Sequence, residues 1–404
     1  MHPLIELEDR YCARNYHPLP VVLVRGEGPY VWDDQGTRYL DMMSAYSAVS
    51  HGHAHPRIVN ALVTQARSLN IVSRAFHSDQ LAAFLERACT LTGQEKALPM
   101  NTGAEAVETA LKAARKWAWE VKGVADGAVE IIGCTGNFHG RTITICGLST
   151  ERQYREGFGP FPPGLLTVPY GDADALEAAI TPNTAAFLVE PIQGEGGIVI
   201  PPAGYLARCA EICRRHNVML LADEIQTGLG RTGKLLACEH EGVKPDGLVL
   251  GKALGGGILP VSMFLARREL MDVFRPGDHG STFGGNPLAA AVGLEALRVL
   301  EDEDLVGQSA TKGAWLLGEL RKIRSPLIKE VRGRGLFIGM EIDPSRARAR
   351  AVVERLMARG LLSKETHETV VRLAPPLAIP QALLEWALEQ IHAVLAEMDT
   401  PAHA

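Results

Sequence analysis

An aspartate and a lysine stand at the ends of two short apolar runs near the middle of the chain. Residues 218–222 read VMLLA and precede Asp223, and residues 247–250 read GLVL and lead through Gly251 to Lys252. Each run has the length and the flanking residues of a buried strand. Because ligand groups gather outside the carboxyl ends of strands in an open α/β sheet, we expect Asp223 and Lys252 to face one ligand.

This pair of residues suits the chemistry of pyridoxal phosphate. A lysine amine can hold an aldehyde as a Schiff base, while a carboxylate keeps a pyridine nitrogen protonated so that the ring takes up electrons. The ordinary interpretation is that Asp223 caps a helix and Lys252 is a solvated loop residue. The surrounding sequence favours the cofactor.

The same stretch contains the pattern G-x-G-x-x-G, formed by glycines 228, 230 and 233 and followed by Lys234. A nucleotide P-loop needs Ser or Thr after this lysine, but Leu235 stands there. A dinucleotide-binding loop would follow its strand at once, whereas four residues intervene. The pattern therefore predicts a glycine-permitted loop beside the cofactor.

Length and element order predict a two-domain α/β protein. At 404 residues the chain exceeds one ordinary core. Strand-like and helix-like segments alternate, which is typical of a doubly wound, largely parallel sheet. We predict a large cofactor-binding domain at residues 56–304 and a smaller α/β domain built from residues 1–55 and 305–404.

Charge and cysteine usage exclude several classes of partner. The net charge of −6 gives no electrostatic basis for binding nucleic acid or an anionic membrane. Seven cysteines without a C-x-x-C spacing, together with the lack of an apolar secretion signal, indicate a reducing compartment. We expect a cytoplasmic protein with small-molecule substrates.

Alternating histidines at positions 51, 53 and 55 raise the possibility of a metal site. No second cluster of ligands accompanies them, so we expect no metal. His55 and Pro56 are better explained as the start of a helix.

Residues 101–103, Asn-Thr-Gly, precede a segment with helical spacing of apolar residues. Free backbone N–H groups at a helix amino terminus bind anions, and small residues let a phosphate approach. An ordinary capped helix is the alternative interpretation.

The runs LLADEIQTGLGRTG at 220–233 and LGKALGGG at 250–257 resemble the class III, fold-type-I, pyridoxal-phosphate-dependent aminotransferases. The resemblance extends from about residue 15 to residue 376, and the ornithine-specific members are the most similar. It implies the aminotransferase fold type I, a homodimer with shared active sites, and transfer of the δ-amino group of ornithine to 2-oxoglutarate.

The resemblance also assigns the residues that bind the cofactor. It implies that Lys252 and Asp223 are catalytic, that the backbone of Gly103 and Ala104 contacts the phosphate, and that Phe138 stacks on the ring. Two more residues follow from it: Gln226 contacts the phenolic oxygen, and Thr282 reaches the phosphate of the neighbouring subunit's cofactor.

Five further residues match substrate-binding positions of the family: Tyr16, Tyr46, Arg141, Glu195 and Arg372. The resemblance implies that the tyrosines hold the α-carboxylate and α-amine of ornithine, and that Arg141 binds the side-chain carboxylate of glutamate. It further implies that Glu195 masks Arg372 when ornithine binds and releases it for the α-carboxylate of glutamate. Arg372 also lies between apolar residues of a predicted strand, where its charge needs a partner.

Two alternatives remain open at the level of sequence. His139 stands where ornithine-specific members usually carry Trp, and His is more usual in the acetylornithine branch, so acetylornithine or another ω-amino acid is the alternative donor. The presence of Tyr46 favours ornithine over acetylornithine as the donor. A non-catalytic member of the family is the second alternative, although the lysine, the ring aspartate and the carboxylate-binding arginine are all present.

Overall fold

The computed structural model describes residues 2–399, which form one seven-stranded sheet and two four-stranded sheets. The strands are β1 Leu23–Glu27, β2 Tyr30–Asp33, β3 Arg38–Asp41, β4 Lys96–Met100, β5 Glu130–Cys134, β6 Leu165–Val168, β7 Thr184–Val189, β8 Met219–Asp223, β9 Gly247–Leu250, β10 Ser262–Ala266, β11 Ile328–Arg334, β12 Phe337–Ile342, β13 Leu361–Leu362, β14 Lys364–Thr366 and β15 Val370–Leu373. The helices are α1 Pro3–Tyr11, α2 Ser44–Ser47, α3 Pro56–Ala66, α4 Asp79–Thr92, α5 Gly103–Trp117, α6 Ile143–Leu148, α7 Arg152–Arg155, α8 Ala173–Ala179, α9 Tyr205–Arg215, α10 Arg268–Met271, α11 Pro287–Asp302, α12 Leu305–Leu320, α13 Ala349–Ala358 and α14 Gln381–Asp399.

The seven-stranded sheet has the order β4-β10-β9-β8-β7-β5-β6. Strand β10 is antiparallel to both of its neighbours, and the other six strands run in one direction. The predicted α/β fold with a mostly parallel sheet is confirmed. Strands β8 and β9 are adjacent and parallel, with Asp223 paired to Val249, so the two predicted reactive residues leave the sheet at the same edge.

Helices cover both faces of this sheet. Along β7, whose six residues are all buried, Ala186 and Leu188 pack in the cluster that contains α5, while Phe187 and Val189 pack in the cluster that contains α9. Side chains of a strand alternate between its faces, so an unbroken apolar run is required where both faces are covered. Across residues 2–399, none of the helices is long and apolar enough to cross a membrane.

The two smaller sheets contain the strands near the two ends of the chain. One has the order β1-β2-β3-β13, in which β13 runs parallel to β3 and pairs Leu361 with Leu40. The other has the order β11-β12-β15-β14 and carries Arg372 on β15. The amino-terminal hairpin is therefore completed by a strand from the carboxy-terminal part of the chain. The domain boundaries after residues 55 and 304 stay a prediction.

The glycine-rich loop after β8 does not lie wholly beside the cavity described below. Gly230 packs near Leu377 and Gly233 near Ala310, and both have a positive φ. A side chain at either position would meet the carboxy-terminal part of the chain. The glycines therefore permit close packing between segments.

Arg231 lies between these glycines and is fully buried. Its guanidinium donates to the carbonyl oxygens of Leu336 and Pro375 at 2.9 and 2.6 Å and to the hydroxyl of Ser50 at 2.9 Å. Burial lowers the pKa of Arg231 to about 9. A buried charge is tolerated where it is hydrogen-bonded, so one side chain connects three segments of the chain.

Two glycines of α12 give a matched test of this packing. A Cβ at Gly313 would collide with the backbone of Gly335, whereas Gly318 is exposed and a Cβ there meets nothing within 4 Å. We expect Gly313→Ala to destabilise the protein by about 1–3 kcal/mol through overpacking. Gly318→Ala should stabilise it by about 0.5–1 kcal/mol, because alanine forms helix better than glycine.

Thermal unfolding followed by circular dichroism measures both variants. The expected order of melting temperatures is Gly318→Ala above the wild type and Gly313→Ala below it. A Gly313→Ala variant that melts at or above the wild-type temperature would contradict this packing.

Candidate active site

A cavity opens at the carboxyl ends of β8 and β9, with about 640 Å³ of empty space, including the part open to solvent. Asp223 and Lys252 both line it, as the sequence led us to expect. Its full lining is Gly103, Ala104, Phe138, His139, Gly140, Glu190, Asp223, Ile225, Gln226, Thr227 and Lys252. All six residues assigned to the cofactor within one subunit are therefore brought together here.

The amino terminus of α5 forms one wall of the cavity. Thr102 caps this helix, and its backbone N–H donates to Glu105 while the Glu105 N–H donates to the Thr102 hydroxyl. This capping box leaves the N–H groups of Gly103 and Ala104 without a partner within residues 2–399. A Cβ at Gly103 would lie 2.9 Å from Ile225, so glycine permits the close approach. These two N–H groups form a site for an anion such as phosphate.

Asp223 lies opposite, at the floor of the cavity. Its Oδ2 lies 2.7 Å from Nδ1 of His139, and its Oδ1 accepts a hydrogen bond from the N–H of Ile225 at 3.1 Å. The side chain of His139 has no solvent exposure. Burial opposes protonation of His139, but the hydrogen bond and charge of Asp223 outweigh it and raise the pKa of His139. The histidine thus holds the side chain of Asp223 in position, a contact that sequence reasoning did not assign.

Glu190 is a second buried carboxyl that sequence reasoning did not assign to the site. Its two oxygens accept hydrogen bonds from the N–H groups of Phe138 at 2.9 Å and Gly194 at 3.3 Å. Burial raises its pKa to about 7. It follows β7 directly, just as Asp223 ends the adjacent strand β8, so the position of acidic residues at strand ends could have indicated it.

Lys252 reaches the cavity from a strained backbone position. Its φ is 45°, in the left-handed region, and it begins a short 3-10 helix that ends at Gly255. Burial lowers the pKa of Lys252, while the charge of Glu195 opposes the decrease. A lysine amine with a lowered pKa is neutral more often and is a better nucleophile.

Glu195 and Arg372 form a two-pronged ion pair beside the lysine. Arg372 Nη1 lies 2.7 Å from Glu195 Oε1, and Nη2 lies 3.1 Å from Oε2. Arg372 is only 1% exposed, and its guanidinium stacks over the ring of Tyr46 at 5.3 Å. Burial opposes ionisation of Glu195, but the charge and hydrogen bonds of Arg372 lower its pKa to about 2. Glu195 is therefore ionised at neutral pH.

Tyr46 lies on a left-handed turn that the sequence indicated only as a loop. The four residues Ser44–Ser47 have φ values of 48°, 45°, 61° and 73°. In the described part of the chain, the buried hydroxyls of Ser44 and Ser47 have no hydrogen-bond partner. Such strain persists only where the surroundings enforce it, and it is common at functional sites. The amide of Gln226 lies 3.4 Å from the carbonyl oxygen of Tyr46 and 3.5 Å from Glu195, which joins the turn to the cavity.

Tyr46, Glu195 and Arg372 lie beside the cavity and not in its lining, and three other predicted residues also lie outside it. Arg141 is exposed, and its guanidinium stacks over the ring of Tyr154 at 4.4 Å. Tyr16 is 65% exposed and lines a neighbouring depression that it shares with Tyr46. Thr282 is exposed on the segment before α11.

The three alternating histidines diverge. Nε2 of His51 lies 3.0 Å from the carbonyl oxygen of Ala296, and His53 pairs with Asp41 at 2.7 Å. His55, which precedes α3, pairs with Glu303 at 3.0 Å. Each ring therefore has a separate structural partner.

These residues fit pyridoxal phosphate. The free N–H groups of Gly103 and Ala104 suit the phosphate, the ring of Phe138 suits a face of the pyridine, and Asp223 suits the ring nitrogen. The amine of Lys252 suits the aldehyde. The chemistry of the cavity is therefore that expected of an enzyme that uses this cofactor.

Comparison with known proteins agrees with this geometry. The model of the family described as aminotransferase class-III matches residues 11–395. The ornithine aminotransferase of Bacillus subtilis (strain 168) is 58% identical over 392 residues, which cover 97% of each chain. A structure of the ornithine aminotransferase from Toxoplasma gondii, with PLP partly occupying its active site, has a TM-score of 0.96 at 46% identity and covers 98% of this chain and 94% of that one. The acetylornithine aminotransferase from Elizabethkingia anophelis has a TM-score of 0.89 at 47% identity, with 98% of both chains covered. The protein therefore belongs to the class III aminotransferase family, with its fold type I.

Proposed function

We propose that the protein is a pyridoxal-phosphate-dependent ornithine aminotransferase. It transfers the δ-amino group of L-ornithine to 2-oxoglutarate and releases glutamate and glutamate-5-semialdehyde, which cyclises to pyrroline-5-carboxylate. The observation that carries this proposal is the ion pair of Glu195 with Arg372 beside Lys252. An arginine that is masked in this way suits an enzyme that must bind two amino acids in opposite orientations. The relatives named above support the choice of donor.

When bound, the cofactor supplies an aldehyde that carries the amino group and a ring that takes up the electrons of the broken C–H bond. Lys252 would hold the aldehyde, and its amine would move a proton at the substrate carbon. Asp223 would hold a proton on the ring nitrogen. The backbone of Gly103 and Ala104 would bind the phosphate, Phe138 would pack on the ring face, and Gln226 would contact the phenolic oxygen.

Arg372 and Glu195 select the orientation of the substrate. While they are paired, Arg372 is not available to an α-carboxylate, so ornithine presents its δ-amine to Lys252. In the second half-reaction Glu195 moves away and Arg372 binds the α-carboxylate that glutamate and 2-oxoglutarate share. A planar guanidinium binds a carboxylate through two parallel hydrogen bonds. The substrate α-carboxylate can therefore replace the Glu195 carboxylate with the same geometry.

Tyr16, Tyr46 and Arg141 complete the substrate contacts. The tyrosines hold the α-carboxylate and α-amine of ornithine, and both line one depression next to the cavity. Arg141 binds the distal carboxylate of glutamate. It has no carboxylate partner within residues 2–399, so its donors are available.

The active enzyme is a homodimer in this proposal. Thr282 and its neighbour Phe283 are exposed, and Thr282 does not line the cavity of its own chain. Both features suit a residue that reaches the cofactor phosphate of the partner subunit.

N-acetylornithine is the second candidate donor. The specific reason is the acetylornithine aminotransferase relative, which is 47% identical over nearly the whole chain. The two donors differ at the α-amine, which the acetyl group makes neutral and bulky. In this proposal Tyr16 and Tyr46 contact the α-amine and so distinguish the two donors.

The test is a parallel assay of the purified holoenzyme with 2-oxoglutarate and either ornithine or N-acetylornithine. We expect kcat/KM to favour ornithine by roughly tenfold or more, because the acetylated substrate loses a charged hydrogen bond. Glutamate formation is measured. A preference for N-acetylornithine would replace ornithine as the donor and leave the cofactor chemistry unchanged.

Replacement of the masking residue tests the charge switch. In Glu195→Ala, Arg372 is free, so ordinary α-amino acids should gain in kcat/KM relative to ornithine by roughly 10- to 100-fold, the value of a charged hydrogen bond. Glu195→Gln keeps the shape and loses the charge, and it should show a smaller change. Single-turnover rates with alanine and ornithine measure the ratio. An unchanged ratio in both variants would contradict the switch.

His139 should affect turnover without affecting donor choice, because its side chain contacts Asp223 and is not exposed. His139→Leu removes the hydrogen bond and should lower kcat/KM for ornithine and N-acetylornithine by the same factor, roughly 10- to 100-fold. His139→Asn retains a donor near the position of Nδ1 and should be less impaired. A change in the ratio of the two donors would instead identify His139 as a specificity residue.

A further inference from the structure

Arg141 has no hydrogen-bond acceptor or carboxylate within bonding distance in the described residues. Its guanidinium is held by two aromatic faces, at 4.4 Å from the ring centre of Tyr154 and 5.7 Å from that of Phe138. Cations are attracted to the faces of aromatic rings. Stacking on a face leaves the N–H groups at the edge of the guanidinium free for a carboxylate.

Tyr154 connects this arginine to the cofactor site. Its ring packs edge-on against Phe138, with centres 5.9 Å apart and planes at 75°, a favourable geometry for an aromatic pair. Phe138 lines the cavity. One ring therefore contacts both the proposed carboxylate-binding residue and the proposed cofactor-stacking residue.

The neighbouring residue fixes Tyr154 in place. Both lie on α7, and Arg155 donates from Nη1 to the carbonyl oxygens of Gly147 at 2.6 Å and Ser149 at 3.0 Å, at the end of α6. Helix α6 follows Arg141 by one residue. The short helix is thus anchored to the segment that follows Arg141.

The hydroxyl of Tyr154 has no hydrogen-bond partner within residues 2–399. The ring face, and not the hydroxyl, is therefore the part of Tyr154 that acts on Arg141. This distinction makes phenylalanine a suitable control.

We propose that Tyr154 is the positioning residue that presents Arg141 to the distal carboxylate of the dicarboxylic substrate, and so determines selectivity for 2-oxoglutarate over 2-oxo acids with one carboxylate. This inference rests on the proposed role of Arg141. It assigns Tyr154 to the glutamate half-reaction and not to the ornithine half-reaction.

The test uses holoenzyme converted to the amino form with pyridoxamine phosphate, so that no amino donor is needed. Single-turnover reactions with 2-oxoglutarate and pyruvate are compared. In Tyr154→Leu we expect the apparent Kd for 2-oxoglutarate to increase roughly 2- to 30-fold, the range of a cation–π contact. The reaction with pyruvate should keep its rate, and Tyr154→Phe should behave as the wild type.

An equal loss for both oxo acids in Tyr154→Leu, at equal cofactor content, would show a merely structural role and overturn the proposal. A Tyr154→Phe variant as impaired as Tyr154→Leu would also overturn it, by transferring the effect to the hydroxyl. Tyr154→Met provides the same test if the leucine variant does not fold. If the wild-type enzyme did not distinguish 2-oxoglutarate from pyruvate, the proposed role of Arg141 would be refuted. If the enzyme did not use ornithine in the donor assay, the proposed function alone would be refuted.

Discussion

The buried guanidinium of Arg372 is the constraint on which the site depends. A charge with 1% exposure is very costly unless it is paired, and Glu195 provides the pair through two hydrogen bonds. Glu195 lies in the loop after β7 of the large sheet, whereas Arg372 belongs to β15 of a small sheet. The pair therefore exists only when the two sheets are packed together. The same packing brings the ring of Tyr46 under the guanidinium.

The site also depends on the parallel strands, whose carboxyl ends bring groups of opposite charge to one edge of the sheet. Glu190 and Asp223 follow adjacent strands β7 and β8, and Lys252 follows β9. His139 pairs with Asp223, and two backbone N–H groups donate to Glu190. The rings of Phe138 and Tyr154 hold the guanidinium of Arg141. The carboxyl groups of the cavity lining are thus buried, whereas Arg141 outside it is exposed.

Much of this could be predicted from the sequence, because strand ends and helix starts have local signals. The apolar runs before Asp223 and Lys252 predicted two buried strands, which the structure shows to be adjacent, and Asn101-Thr102-Gly103 predicted a helix terminus, which lines the cavity. The contact of His139 with Asp223 could not be predicted, since it joins residues 84 positions apart. The left-handed turn at Tyr46 has no glycine to indicate it, and packing enforces its conformation. The loop glycines at 230 and 233 were expected beside the cofactor, but their neighbours come from distant sequence.

Arg231 has a consequence for the order in which the molecule assembles. Its three acceptors are Ser50, which precedes it, and Leu336 and Pro375, which follow it by more than a hundred positions. While the chain is being synthesised, the large sheet can form with this guanidinium still in water. The hydrogen bonds of Arg231 can be complete only after residue 375 has left the ribosome, because the carbonyl oxygen of Pro375 is the last of its acceptors in chain order. This part of the interior is therefore completed only after residue 375 has been synthesised.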